Sequence, residues 1–183
     1  MVSISWPSVA ILTAFSTWVL AVGTLLILLW QTRQTQVLNG ANAVMNLRDK
    51  FDSSRMRAVR RHISERLLKQ AHEDIASIEV VTFFELVGTL THRRVLNEEL
   101  VWEAFGSWVT SYWWALRNPS DWVGRLRKDL ADPLVFHEFE WLEGRVRERD
   151  RRELRKLGVE VVPENFEEES HRILSREALL ESV

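Results

Sequence analysis

The strongest constraint on the fold is a run of 22 residues without a charged side chain, from Val9 to Trp30. An α-helix rises about 1.5 Å per residue, so about 20 apolar residues cross the roughly 30 Å hydrocarbon core of a bilayer. Trp6 and Trp30 flank the run, and tryptophan is enriched at the two membrane–water interfaces. The run therefore predicts a transmembrane helix over residues 9–30.

A cleaved signal peptide is the alternative interpretation of such a run. Signal peptides carry basic residues before an apolar core of about 7–15 residues, and a site with small residues follows that core. Here no Lys or Arg precedes the run, the run is longer, and the small residues at 21–23 lie inside it. These differences favour a segment that stays in the membrane.

The flanking charges predict the orientation of the helix. No Lys or Arg precedes it, whereas Arg33, Arg48 and Lys50 follow within about 20 residues, and the cytoplasmic side of a membrane helix carries the excess of basic residues. We therefore expect residues 1–8 outside and the rest of the chain in the cytoplasm.

One side of the predicted helix carries a stripe of small residues spaced four and three apart. Small side chains let two helix backbones approach closely in lipid, so this stripe is a candidate for self-association, with chance as the alternative. Its members are Ala10, Ala14, Thr17, Ala21 and Thr24.

The rest of the chain predicts an all-α bundle of about five helices. There are only seven glycines and four prolines in 183 residues, too few for the turns of a β-fold. Helix start signals are expected within Asp52-Ser53-Ser54 and at Asn97, Asp121 and Asp132-Pro133, and Asn39-Gly40 predicts a kink or break. The predicted divisions are a juxtamembrane helix or linker (31–44), a bundle domain (45–146), and a charged helix extension with a C-terminal tail (147–183).

The helix predicted near residues 73–92 is expected to form the centre of the bundle, because its apolar residues surround it on almost every side. Glu85 lies in the middle of that helix. A buried carboxylate needs a cation or a proton, and we expect Arg60 as its partner, with Glu140 able to join. This cluster is either a structural ion pair that fixes helix register or, less favoured, a general acid or base in a pocket.

No other pattern points to catalysis. The chain lacks cysteine, HExxH, GxSxG and phosphate-loop motifs. We therefore predict no catalytic residues, no metal site and no cofactor, and the formal charge of −2 predicts no binding to nucleic acid.

The charge is unevenly distributed along the chain. Residues 33–72 hold nine Lys or Arg and three acids, whereas residues 73–143 hold six bases and thirteen acids. The basic segment either attracts anionic lipid at the membrane surface or neutralises the acidic segment within the bundle.

The cytosolic part resembles an uncharacterised bacterial family, a domain of unknown function with one N-terminal membrane helix and a small helical domain. The features that carry the resemblance are RAVRR around Arg60, VVTFFELVGTL (80–90), YWW (112–114) and FHEFEWL (136–142). The resemblance implies an architecture and a location at the bacterial inner membrane, and it implies no reaction.

Together these features predict a single-pass inner-membrane protein that acts by binding. The expected partners are the lipid bilayer and a second copy of the chain or another protein. The alternatives are a membrane-tethered enzyme with a polar pocket at Glu85 and a membrane-perturbing effector in stress or phage response.

Overall fold

The computed structural model of the chain describes residues 24, 27, 28, 30, 31, 38–69, 75–118, 121–158 and 164–179. The chain divides into two units, Met1–Asn39 and Gly40–Val183. The described residues of the first unit are helical, and Ile27, Leu28 and Trp30 expose more than half of their surface.

The prediction of a transmembrane helix falls almost entirely outside the described residues. Four of the five members of the small-residue stripe also lie outside them, and the fifth, Thr24, is helical and exposed. Among the residues that the structure describes, no helix is both long enough and apolar enough to cross a membrane.

The predicted all-α class is confirmed, because the described part of the chain contains helices and turns and no strand. It holds seven helices rather than about five. They are α1 (38–51), α2 (Ser54–Leu68), α3 (Ile75–His92), α4 (Glu98–Arg117), α5 (Trp122–Asp129), α6 (His137–Lys156) and α7 (Glu164–Ala178).

Three of the predicted helix starts are confirmed by capping hydrogen bonds. The Ser53 hydroxyl accepts a hydrogen bond from the backbone N–H of Met56 (3.3 Å) at the start of α2. The Asn97 side chain accepts one from Glu99 (2.8 Å) at the start of α4, and the Asp121 side chain caps α5. Each cap satisfies an N–H that has no partner inside its own helix.

Of the predicted kink or break at Asn39-Gly40, the break is wrong, because both residues are helical. Gly40 serves a different purpose. A Cβ at this position would lie 3.3 Å from the carbonyl oxygen of Val95, so the missing side chain lets α1 approach the turn between α3 and α4 closely.

The predicted helix start at Asp132-Pro133 is also wrong. Residues 133–136 form a turn, in which the Asp132 carboxylate accepts a hydrogen bond from the backbone of Leu134 (2.9 Å). Phe136 has a left-handed conformation (φ 57°), and α6 begins at His137. Asp132 therefore caps a turn rather than a helix, since an Asx side chain stabilises either one through the same local hydrogen bond.

The core is an aromatic cluster that joins α1, α3, α4 and α6. Phe84 stacks on Phe139 with ring centroids 5.1 Å apart, and Phe51 meets Phe105 edge-on at 5.7 Å. All four rings are fully buried. Aromatic pairs at these distances add stabilisation beyond the area that they bury.

Helix α3 is buried on fewer sides than the apolar pattern predicted. It packs on α2, α4 and α6 and buries Phe84 and Val87. Ile78 and Leu86, two turns apart on another side, expose 42% and 43% of their surface.

The C-terminal part of the chain belongs to the bundle. The sequence predicted a C-terminal tail here, whereas α7 is 15 residues long and packs against α2 and α4. Among the residues of α7 whose burial is described, Ser170, Leu174 and Glu177 are buried, and they are spaced four and three apart. The compact unit therefore includes residues beyond the predicted end of the bundle at 146.

Candidate functional site

A cleft with a volume of about 470 Å³ opens beside the contact of α7 with α2 and α4. It collects charged side chains from four helices and the turn after α1. Its lining residues are Arg48, Asp52, Arg57, Arg60, Ser107, Trp108, Ile173, Arg176 and Glu177.

Arg60 lies at the base of this cleft with only 2% of its surface exposed. Its guanidinium group stands 4.0 Å from the centroid of the Phe51 ring, and arginine stacks well on aromatic faces. One terminal nitrogen lies 3.2–3.3 Å from both carboxylate oxygens of Glu177, and the other lies 3.5 Å from Asp52. Within the described part of the chain, the Nε–H of Arg60 has no hydrogen-bond partner.

Glu177 comes from α7 and is also buried, with 6% of its surface exposed. The indole N–H of Trp108 donates a hydrogen bond to its Oε1 (3.0 Å). Burial raises the pKa of the Glu177 carboxyl, and the charge of Arg60 and the hydrogen bond from Trp108 oppose that rise. The cleft thus contains a carboxylate that gains a proton more readily than an exposed glutamate does.

A second, neutral layer of polar groups lies beside the Arg60–Glu177 pair. The Tyr112 hydroxyl is fully buried and lies 3.2 Å from the Ser64 hydroxyl. Burial, followed by the nearby charge of Glu177, raises the pKa of Tyr112 above its usual range. Tyr112 therefore stays a neutral hydrogen-bonding group and supplies no phenolate.

Arg48 is held firmly at the side of the cleft. It donates hydrogen bonds to the Ala104 carbonyl (2.9 Å) and to the Asp52 carboxylate (3.0 Å). Its guanidinium group also lies 5.0 Å from the centroid of the Trp108 ring. These contacts fix a positive charge at one edge of the cleft.

Chemically, this arrangement is suited to binding. The cleft offers arginines, two carboxylates and an indole. Its lining also includes the hydroxyl of Ser107, but no histidine lies among the lining residues to activate that hydroxyl as a nucleophile. No group of three or more His, Asp or Glu side chains that could hold a metal occurs in the described residues.

The predicted cluster of Arg60, Glu85 and Glu140 does not form, because each residue has a different partner. Arg60 faces α7 and pairs with Glu177. Glu140 accepts a hydrogen bond from Arg127 (2.7 Å). The sequence placed Arg60 and Glu140 on helices near α3, but helix proximity alone does not fix which sides of those helices face Glu85.

Glu85 instead caps the first turn of α6. Its two carboxylate oxygens accept hydrogen bonds from the backbone N–H groups of Glu138 (3.2 Å) and Phe139 (2.7 Å). Helix N-termini leave such N–H groups without partners and favour a negative charge. The carboxylate is thus engaged in holding α3 to α6.

Gly88, one turn further along α3, permits this contact. A Cβ on Gly88 would lie 2.7 Å from the carbonyl carbon of Glu138, and closer still to its oxygen. Real side chains do not tolerate such a distance to backbone atoms. Gly88 and Glu85 together therefore define where α6 begins.

We expect Glu85→Gln to lower the free energy of unfolding by about 1–2 kcal/mol, because an amide can accept only one of the two backbone hydrogen bonds. Urea unfolding followed by circular dichroism measures this change in the free energy of unfolding. Glu103→Gln, at an exposed position of α4, removes the same charge and should change the value by no more than about 0.5 kcal/mol. Equal stability of both variants would contradict the capping role.

Glu177 was missed by sequence reasoning because it lies in the segment predicted as a tail. The available signal was the spacing of Ser170, Leu174 and Glu177, which places them on one side of a helix. Two of the three are polar, so hydrophobic periodicity did not reveal that side.

Comparison with known proteins gives one family and no individual relative. A family model described as "Domain of unknown function (DUF4760)" matches residues 13–146. No curated protein and no solved structure matches the chain. The matched residues include most of the uncharged run and end before α7.

Proposed function

The chain belongs to the DUF4760 family of domains of unknown function, and from its own residues we propose that it is a membrane-anchored module that acts by binding. In this proposal residues 9–30 span the bacterial inner membrane, residues 1–8 lie outside, and the helical unit lies in the cytoplasm. The observation that carries the proposal is the run of 22 uncharged residues flanked by Trp6 and Trp30.

One further observation supports the anchor. The segment that follows the run is basic, with nine Lys or Arg against three acids over residues 33–72. Basic residues beside a membrane span favour the cytoplasmic side and attract anionic lipid.

Binding is favoured over catalysis because the candidate catalytic residue already has a structural role. Glu85, the candidate general acid or base, caps α6 through two hydrogen bonds. The cleft beside α7 combines buried charged groups with an open mouth, which suits recognition of a ligand. Self-association through the small-residue stripe remains compatible with the same anchor and is a separate property of it.

Membrane attachment is tested by fractionation of cells that produce the full chain. We expect the protein to sediment with membranes at high speed, to stay there in high salt or alkaline carbonate, and to enter the supernatant with detergent. A variant without residues 1–31 should appear in the soluble fraction. Recovery of the intact chain in the supernatant without detergent would overturn the anchor.

Orientation can be tested in the same membranes, because the chain has no cysteine of its own. We expect a membrane-impermeant maleimide to label the Ser3→Cys variant in intact cells. The Ser175→Cys variant, at an exposed position of α7, should be labelled only after the cells are opened. The reverse pattern would overturn the assignment of the helical unit to the cytoplasm.

A further inference from the structure

We propose that the cleft lined by Arg48, Arg57, Arg60 and Arg176 binds the phosphate group of an organic phosphate. This inference deepens the proposed binding function and rests on it, since it names the site and the chemical class of the ligand. The phosphate could belong to a soluble metabolite or to the headgroup of a phosphomonoester lipid, and the charge and geometry of the cleft fit both.

The first argument is the charge of the lining. Four arginines face two carboxylates, Asp52 and Glu177, so the cleft carries a formal excess of two positive charges in a chain whose total is −2. A concave site with an excess of one sign of charge attracts a ligand of the opposite sign. A phosphate dianion matches this excess.

The second argument is that Arg60 is incompletely satisfied. Its contacts with Glu177 (3.2–3.3 Å) and Asp52 (3.5 Å) are long, because charge-assisted hydrogen bonds usually measure about 2.7–2.9 Å. Arg127 reaches that range with Glu140 at 2.7 Å in the same bundle. Arg60 is thus a buried cation whose partners are loosely placed, and an additional acceptor at the cleft would improve its pairing.

The third argument concerns two further arginines at the mouth of the cleft. Arg57 on α2 and Arg176 on α7 line the cleft, and neither guanidinium group has a hydrogen-bond or ion-pair partner among the residues that the structure describes. They reach the cleft from two different helices. Planar guanidinium groups that approach from two sides suit the several oxygens of a phosphate better than the two of a carboxylate.

The fourth argument concerns the organic part of the ligand. Trp108 and Ile173 give the cleft an apolar wall beside its charged base. The volume of about 470 Å³ falls within the range of small-molecule sites, about 300–1,000 Å³. The site therefore has room for more than an inorganic ion.

The test uses the full chain in a neutral detergent, with inorganic pyrophosphate as the probe in isothermal titration calorimetry at low salt. The diagnostic variant is Arg57→Gln/Arg176→Gln, which removes two arginines that form no hydrogen bond or ion pair among the described residues and so should change the thermal midpoint little. We expect its affinity for pyrophosphate to fall about tenfold or more.

The matched control is Arg93→Gln/Arg155→Gln, which removes two exposed arginines away from the cleft. Its affinity should stay within about twofold of the wild-type value, because it changes the net charge equally but leaves the cleft intact. An equal loss in both double variants would mean that pyrophosphate responds to net charge alone and would overturn the site.

A second titration distinguishes the two sources of phosphate. Short-chain phosphatidic acid added to the same detergent carries a phosphomonoester headgroup, and short-chain phosphatidylcholine is its neutral control. Tighter binding of phosphatidic acid than of pyrophosphate identifies a lipid ligand, and the reverse order identifies a soluble one. Failure of both phosphate probes to bind the wild-type chain overturns the inference. Since these titrations are performed in detergent, their outcome is independent of the fractionation that tests the anchor.

Discussion

Gly88→Ala should lower the free energy of unfolding by about 3 kcal/mol, at the upper end of the usual cost of overpacking. The added Cβ would meet the backbone of Glu138 at the start of α6, and backbone atoms cannot move aside as the end of a side chain can. Relief of the clash would push α6 away from α3 and weaken the two hydrogen bonds that Glu85 accepts. Urea unfolding of the full chain in detergent, followed by circular dichroism, measures the loss.

Gly144 provides the matched control for this substitution. It lies in α6, is exposed, and has no atom within 4 Å of the position of an added Cβ. Gly144→Ala should therefore raise the free energy of unfolding by about 0.5–1 kcal/mol, because alanine favours the helix over the unfolded chain. If both substitutions changed the free energy of unfolding by a similar amount in the same direction, the close approach of α3 and α6 would not be what constrains Gly88.

Arg60→Met should lower the free energy of unfolding by about 3–5 kcal/mol, because it leaves Glu177 as a buried carboxylate without its cation. The deficit should shrink as the pH falls from about 7 toward 5. Burial already raises the pKa of Glu177 in the folded protein, and loss of Arg60 raises it further. The folded state then binds a proton that the unfolded state lacks, so its stability increases as the pH decreases.

Two further variants separate pairing from simple loss of a side chain. Arg60→Met/Glu177→Leu removes both charges and should recover much of the lost stability, since an apolar pair carries no desolvation cost. Arg152→Met breaks an exposed pair with Glu148 and should cost no more than about 0.5 kcal/mol. A double variant as unstable as the sum of its single changes would contradict the coupling of Arg60 to Glu177.

The local features of the fold were predictable from the sequence. Ser53, Asn97 and Asp121 mark helix starts because a capping hydrogen bond involves residues only two or three positions apart. The all-α class followed from helical periodicity and from the scarcity of glycine and proline. These inferences succeed because they depend on short stretches of chain.

The pairing of charged residues was not predictable in the same way. Arg60 and Glu177 are 117 residues apart, and the identity of the partner depends on which sides of α2 and α7 meet. Asp132-Pro133 failed as a start signal for a related reason, since the same side-chain hydrogen bond stabilises a turn. For Glu85 the sequence predicted a cation as the partner, whereas the partner is the first turn of a helix.

The position of the cleft has a consequence for the whole helical unit. Besides α4, its lining comes from α1 and α2, which begin the unit, and from α7, which ends it. A ligand that contacts both α2 and α7 would link the first helices of the unit to the last one. Because it binds the folded state, it would stabilise the packing of α7 against local unfolding by mass action. Resistance of the last turns to proteases would then report whether the cleft is filled.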